Sequence, residues 1–137
     1  MITLTVSSAA QSELVDITRQ VQEAVGRQGL KDGVCVLFVP HTTAGLTLNE
    51  NWDPDVKRDV LLTLNEIAPP DPRHRHGEGN SPAHIMASLV GASEMIFVQD
   101  GQLQLGSWQG IYLAEFDGPR RRKVFIQLLR DNPTSEP

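Results

Sequence analysis

The run GVCVLFVP, residues 33–40, is apolar throughout, rich in β-branched side chains, and bounded by the turn residues Lys31, Asp32 and Gly33 on one side and by Pro40 on the other. It is too short for a typical helix, and a strand solvated on one face would alternate apolar with polar residues, so this run predicts a buried central strand. A central strand requires partners on both edges, and the rest of the chain must supply a sheet around it. Cys35 lies inside the run as the single cysteine, which excludes an intrachain disulfide and leaves core filling as its role.

Further strands are legible around it. MITLTVSS alternates apolar and hydroxyl residues, and a second short strand is expected at residues 13–17. Near the C-terminal end, SEMIFVQ, Asp100-Gly101 and QLQLG read as one hairpin, and WQGIYLAEF, Asp117-Gly118-Pro119 and RRKVFIQLL as a second, because Asp-Gly tolerates the positive φ of a tight hairpin turn. Three helices are expected between these strands. Ile17, Val21 and Val25 predict one over 19–28 with Thr18 as its cap. Asp53-Pro54 opens another, whose apolar face is Val56, Val60, Leu61, Leu64 and Ile67 and which stops before Pro69-Pro70. Ser81-Pro82 opens the third, with Ile85, Met86, Leu89 and Val90 on its apolar face and Gly91 at its end. Strands and helices do not alternate regularly, so the class is α+β, with a mainly antiparallel or mixed sheet and about three helices. With 137 residues the chain forms one compact domain over 1–130, and 131–137 read as a disordered tail.

Composition narrows the function classes. The net charge of −5 argues against nucleic acid or an anionic membrane as partner, and no apolar run approaches the ~20 residues of a spanning helix, so a cytoplasmic location is expected. Aromatic residues are sparse at 5%, while 11 glycines and 9 prolines imply many turns.

Three features are candidates for chemistry. His41 follows the end of the central strand, where a side chain faces a cleft rather than the core, although a histidine there also serves simply to bond a loop carbonyl. His84 falls in the first turn of the third helix, beside unpaired backbone N–H groups that disfavour imidazolium and attract anions; the alternative is a ring pointing to solvent. The 13-residue loop 68–80 leads into that helix and carries His76, Glu78 and Asn80 with Gly77 and Gly79 between them. His74, between Arg73 and Arg75, reads as water-facing. The basic turn Arg120-Arg121-Arg122-Lys123 sends Arg120 and Arg122 to one face, where the pair suits a phosphate, or else protects an edge strand. Trp108 reads as core or interface.

The segments HTTAGLTLNENWDPDVKRD, HGEGNSPAHIMASLVG and GQLQLGSWQGIYLAEFDGPRRRKV stand in the order found in the YjbQ family, which the chain strongly resembles. The family is also labelled secondary thiamine-phosphate synthase. The resemblance implies a homotrimer with a polar pocket in which His41, His76 and His84 converge with Asn49, Glu50, Glu78 and Asn80. It implies a metal or anion there: a divalent ion, zinc or magnesium, on the three histidines, with no organic cofactor evident. Arg120, Arg122 and Asn49 then hold substrate phosphate, and Glu78, Glu50 and Asn80 carry the catalytic roles, a glutamate moving a proton or orienting a ligand histidine. Relatives commonly have an aromatic residue where this chain has His74. The reaction implied joins a pyrimidine methyl diphosphate to a thiazole phosphate with loss of pyrophosphate. Two function classes remain: an enzyme acting on a small phosphorylated molecule, and a metal- or phosphometabolite-binding regulatory module with incidental catalysis.

Overall fold

The computed structural model describes residues 1–132; the tail expected over 131–137 lies outside the described residues from position 133 onward. In chain order the elements are β1 (Ile2–Ser7), β2 (Glu13–Asp16), α1 (Thr18–Gln28), β3 (Gly33–Phe38), β4 (Ala44–Glu50), α2 (Pro54–Ile67), α3 (Ser81–Val90), β5 (Ser93–Gln99), β6 (Gln102–Leu103), β7 (Gln109–Glu115) and β8 (Arg121–Arg130). Every strand pairing is antiparallel. A five-stranded sheet has the order β1-β8-β3-β5-β6, and a three-stranded sheet the order β2-β7-β4. The fold is α+β with three helices, as the sequence predicts, and β3 lies at the centre of the larger sheet, but it is buried on one face only: Val34 and Val36 are half-buried and Phe38 is exposed.

Two apolar layers hold it together. Cys35, Leu37, Ile96, Val124 and Ile126 of the large sheet share one buried cluster with Leu46, Ile111 and Leu113 of the small sheet and with Val21 and Val25 of α1. The alternate residues of β7, Tyr112 and Ala114, face a second cluster formed with Ala83, Met86 and Ala87 of α3 and the half-buried Val60, Leu61 and Leu64 of α2. The small sheet is thus covered on both faces, which is why β7 is apolar at successive positions rather than alternating. Burial pushes the Cys35 thiol up to about 11, as suits core filler. Among the described residues no helix is long and apolar enough to cross a membrane.

The structure corrects the sequence reading at five further places. On α3, Ile85 and Leu89 are exposed, and the buried face is Ala83, Met86 and Ala87, because small residues let the helix approach the small sheet. HTTAGLTLNEN contains an unpredicted strand, β4, whose small residues Ala44 and Gly45 fit a close approach: the Gly91 carbonyl accepts from Leu46 N at 3.0 Å and would collide with a Cβ at Gly45. Thr18 does not cap α1. Its Oγ1 donates to Asp16 at 2.6 Å and accepts from Ile111 N at 2.8 Å, tying the helix to β7 instead. The N-cap of α3 is Asn80, and Ser81 is already helical. The second hairpin does not exist, because β7 and β8 belong to different sheets. Asp100 and Gly101 have the positive φ of a tight hairpin turn, 51° and 76°, whereas Asp117 and Gly118 have none, and the chain there crosses from one layer to the other.

Replacing Leu113, which is fully buried between the sheets, with alanine should cost about 2–5 kcal/mol in urea unfolding. The exposed Leu62→Ala should stay within about 0.5 kcal/mol of wild type. Equal losses for the two would contradict this placement of the core.

Candidate functional site

The crossover between β7 and β8 organises the polar residues. Glu115 ends β7 and is fully buried; Arg122, the second residue of β8, is 4% exposed and points inward because Val6 and Val124 beside it do. Arg122 donates to both Glu115 oxygens, through Nε at 2.9 Å and through Nη2, and Nη2 also donates to Thr43 Oγ1 at 2.8 Å. Ser8 donates to Glu115 at 2.7 Å and accepts from Arg120 N at 2.9 Å, and Glu115 accepts from Asp117 N at 3.0 Å. Burial alone would raise the Glu115 carboxyl, but the Arg122, Ser8 and Asp117 donors outweigh it and hold the group below the ordinary glutamate value. A side chain at Gly118 would strike the Ala10 carbonyl and the side chains of Ser8 and Glu115, so this corner accepts only glycine.

Two further groups hang from this corner. Asp117 accepts from Asn80 Nδ2 and from Arg120 Nη2, both at 2.9 Å, and so ties the N-terminus of α3 to the start of β8. Asn80 Oδ1 is buried without a partner, and the Asn80 carbonyl accepts from the Ala83 and His84 amides. Gly79, at φ 73°, turns the loop back so that its N–H reaches the His76 carbonyl at 3.1 Å. The His76 and His84 rings then meet edge to face with centroids 5.1 Å apart. Near the start of β8, His41 Nε2 accepts from Lys123 N at 2.9 Å. Burial first, then the charges of Arg122 and Lys123, hold His41 below the ordinary histidine value, with Glu115 and the Lys123 backbone contact opposing.

The structure therefore unites some of the expected site residues and separates others. His76 and His84 are brought together. His41 does not join them as a third ligand, and among the described residues no three His, Cys, Asp or Glu side chains gather around a metal position. A single chain thus supplies two adjacent imidazoles, and the donor set does not fit a three-histidine zinc or magnesium site. Asn49 and Glu50 stand at the far end of β4, about 20 Å along the strand from Ala44. There the Glu50 carbonyl accepts from Tyr112, its carboxylate accepts from Asp53 N, and the exposed Trp52 and Trp108 rings pack edge to face at 6.0 Å. Trp108 is not a core residue. Glu78 and His74 are exposed loop residues. Arg122 is engaged by Glu115 and Thr43, so of the two arginines Arg120, with its side chain half exposed, is the one that faces solvent.

The residues sequence reasoning missed are Ser8, Thr43, Glu115 and Asp117. Glu115 had a signal: an acid within the apolar strand IYLAEF needs a buried cation, and Arg122 was the inward member of the basic run.

A family model described as UPF0047 protein YjbQ-like matches residues 2–131. This chain belongs to the YjbQ-like UPF0047 family. A UPF0047 protein of Methanocaldococcus jannaschii is 50% identical over 121 residues, 88% of each chain, and the YugU protein of Bacillus subtilis is 46% identical over 128 residues, 93% of this chain and 97% of YugU. Among solved structures, a YjbQ/UPF0047 protein of Clostridium acetobutylicum superposes with TM-score 0.91 at 50% identity, covering 94% of this chain and all of that one. A YbjQ-like protein of unknown function from Sulfolobus solfataricus gives 0.90 at 38% identity, covering 95% and 96%.

Arg122→Ala leaves the Glu115 carboxylate buried without its cation and should destabilise this YjbQ-like fold by about 3–5 kcal/mol. Arg122→Met combined with Glu115→Leu should recover most of that loss. A double-mutant cycle by chemical denaturation measures the coupling, and additive losses would show that the pair does not act as a unit.

Proposed function

We propose that this YjbQ-like protein binds a small phosphorylated molecule at the crossover corner and acts on it as an enzyme. The observation that carries the reading is the edge-to-face pair of His76 and His84 at the start of α3, a ten-residue helix whose N-cap, Asn80, gives no side-chain cap. Helix N-termini favour oxyanions, neutral imidazoles donate to them, and Arg120 adds a solvent-facing guanidinium tethered to the same Asp117.

The reaction to test first is the one the family resemblance implies. The thiazole nitrogen attacks the exocyclic methylene of the pyrimidine, a C–N bond forms, the C–O bond to the diphosphate breaks, and pyrophosphate leaves with the electron pair. The protein's part in such a step is to hold both phosphorylated rings in line and to stabilise charge on the leaving diphosphate. On this reading His84, His76 and Arg120 take the second task, and Glu78, an exposed residue of the loop, contacts the bound substrate. A purely regulatory binder would share the binding and lack the turnover.

Inorganic pyrophosphate should bind the wild type in titration calorimetry, and His84→Ala should weaken it about tenfold, the worth of one good hydrogen bond to a charged oxygen. Unchanged affinity in His84→Ala removes the basis for this site. Turnover of the two precursors, assayed alongside, separates enzyme from binder: tight binding with negligible product supports the module.

The assembly that goes with this reading is a homotrimer of this chain. The outer face of the large sheet exposes Phe38, Met95, Phe97 and Leu129 beside the half-buried Val34, Val36 and Phe125, and neither helices nor the small sheet cover it. An apolar face of this kind favours burial against further copies. Light scattering should give three times the 15.1 kDa chain mass, and Phe97→Asp should shift the protein toward monomer. A wild-type monomer at micromolar concentration would contradict the trimer.

A further inference from the structure

His41 is placed differently from the other two site histidines. The ladder between β3 and β8 ends at the pair Phe38 and Phe125, and the chain then leaves the sheet through Val39 and Pro40. Lys123, two residues before Phe125 on β8, points its N–H to the same side and finds no strand beyond Phe38. The His41 ring takes that place, its Nε2 accepting the Lys123 N–H at 2.9 Å. An acceptor nitrogen carries no proton, so the neutral ring bears its single proton on Nδ1. Nδ1 makes no hydrogen bond to the described residues, and it is not among their buried unsatisfied atoms. It therefore stands open to solvent.

We propose that His41 serves as a neutral hydrogen-bond donor through Nδ1–H to an oxygen of an anionic ligand, and that it is not a metal ligand. Coordination through Nε2 would displace the Lys123 N–H and leave a strand-end amide unpaired. Coordination through Nδ1 would move the ring proton to Nε2, where it would face that same N–H donor to donor. Either ring nitrogen can take a metal only by breaking the bond that positions the ring, short of forming an imidazolate. Protonation to imidazolium meets the same obstacle, since Nε2–H would again oppose Lys123 N–H; Arg122 and Lys123 on β8 add to it, and Glu115 on β7 opposes it. The geometry thus holds a donor that keeps its proton across the neutral range, next to the corner from which Arg120 also faces solvent.

The choice of ligand class rests on the phosphate reading above, whereas the tautomer and the exclusion from the metal set do not. The protein has four histidines, so the imidazole nitrogens of uniformly labelled full-length chain can be assigned one by one in long-range nitrogen–proton NMR spectra. His41 should show a protonated Nδ1 and an unprotonated Nε2, and both resonances should stay in place as zinc is added to one equivalent. A proton on Nε2, or a zinc-induced shift of either His41 nitrogen to a coordinated position, overturns the proposal.

Two variants address the donor role. In His41→Gln the amide oxygen can still accept from Lys123 N, but the Nδ1–H is gone, so pyrophosphate affinity should fall about tenfold with the thermal midpoint held near wild type. His41→Asn places an amide N–H near the Nδ1 position and should retain more affinity than the glutamine variant. Wild-type affinity in His41→Gln overturns the donor role. If wild type itself fails to bind pyrophosphate, the phosphate reading falls, and the nitrogen spectra still decide the tautomer and the metal question.

Discussion

The ion pair of Arg122 and Glu115 sits inside the corner where the chain passes from one sheet to the other. β7 and β8 are consecutive in sequence yet lie in opposite layers, so no ladder joins them, and the segment between them is fixed by isolated backbone bonds, Phe116 N to the Thr43 carbonyl and Gly118 N to the Gln11 carbonyl, together with side chains. The pair does this from inside the protein. Glu115 accepts from Ser8 at the end of β1, from the Asp117 amide and from Arg122, while Arg122 reaches Thr43 just before β4. Segments from both sheets are tied to one carboxylate and one guanidinium. A charge left alone there would be costly, so the two sheets are stable only in the docking that satisfies both groups.

The functional elements inherit their positions from that corner. Asp117, fixed two residues past Glu115, anchors Asn80 and with it the first turn of α3, where His84 meets His76 from the loop. Lys123, fixed one residue past Arg122, offers the amide on which His41 rests. Both histidine groups are thus anchored to the segment that follows Glu115. They differ in chemistry: His76 and His84 form a ring pair in a glycine-rich loop and a helix start, whereas His41 completes the end of a sheet ladder and keeps one fixed tautomer. The opposite end of the small sheet, with Asn49, Glu50 and the exposed tryptophan pair, is a separate region of the same chain.

Much of the fold was legible because its signals are local. The central strand announces itself by eight uninterrupted apolar positions, α2 by Asp53-Pro54, and the β5–β6 hairpin by Asp100-Gly101. What escaped had its cause elsewhere in the chain. β4 carries small residues because the Gly91 carbonyl passes close to it, and nothing in HTTAGLTLNEN reveals that neighbour. Thr18 has the chemistry of a cap, but its hydroxyl is claimed by Asp16 and the Ile111 amide. Asp117-Gly118 has the composition of a hairpin turn and is used to change layers.

The sequence by itself determined the three helices, most of the strands, the α+β class and the residue types available for chemistry. Periodicity and turn chemistry depend on neighbours a few positions apart, and those are written in order along the chain. The tertiary structure alone decided that Arg122 faces Glu115 rather than a ligand, that Asn49 and Glu50 stand far from His41, and that the His41 ring uses its Nε2 for the Lys123 amide. Each of these depends on partners 7 to 82 positions away, brought together by the docking of two sheets. Hydrogen-bond direction and charge pairing are set by that docking, which no local pattern encodes.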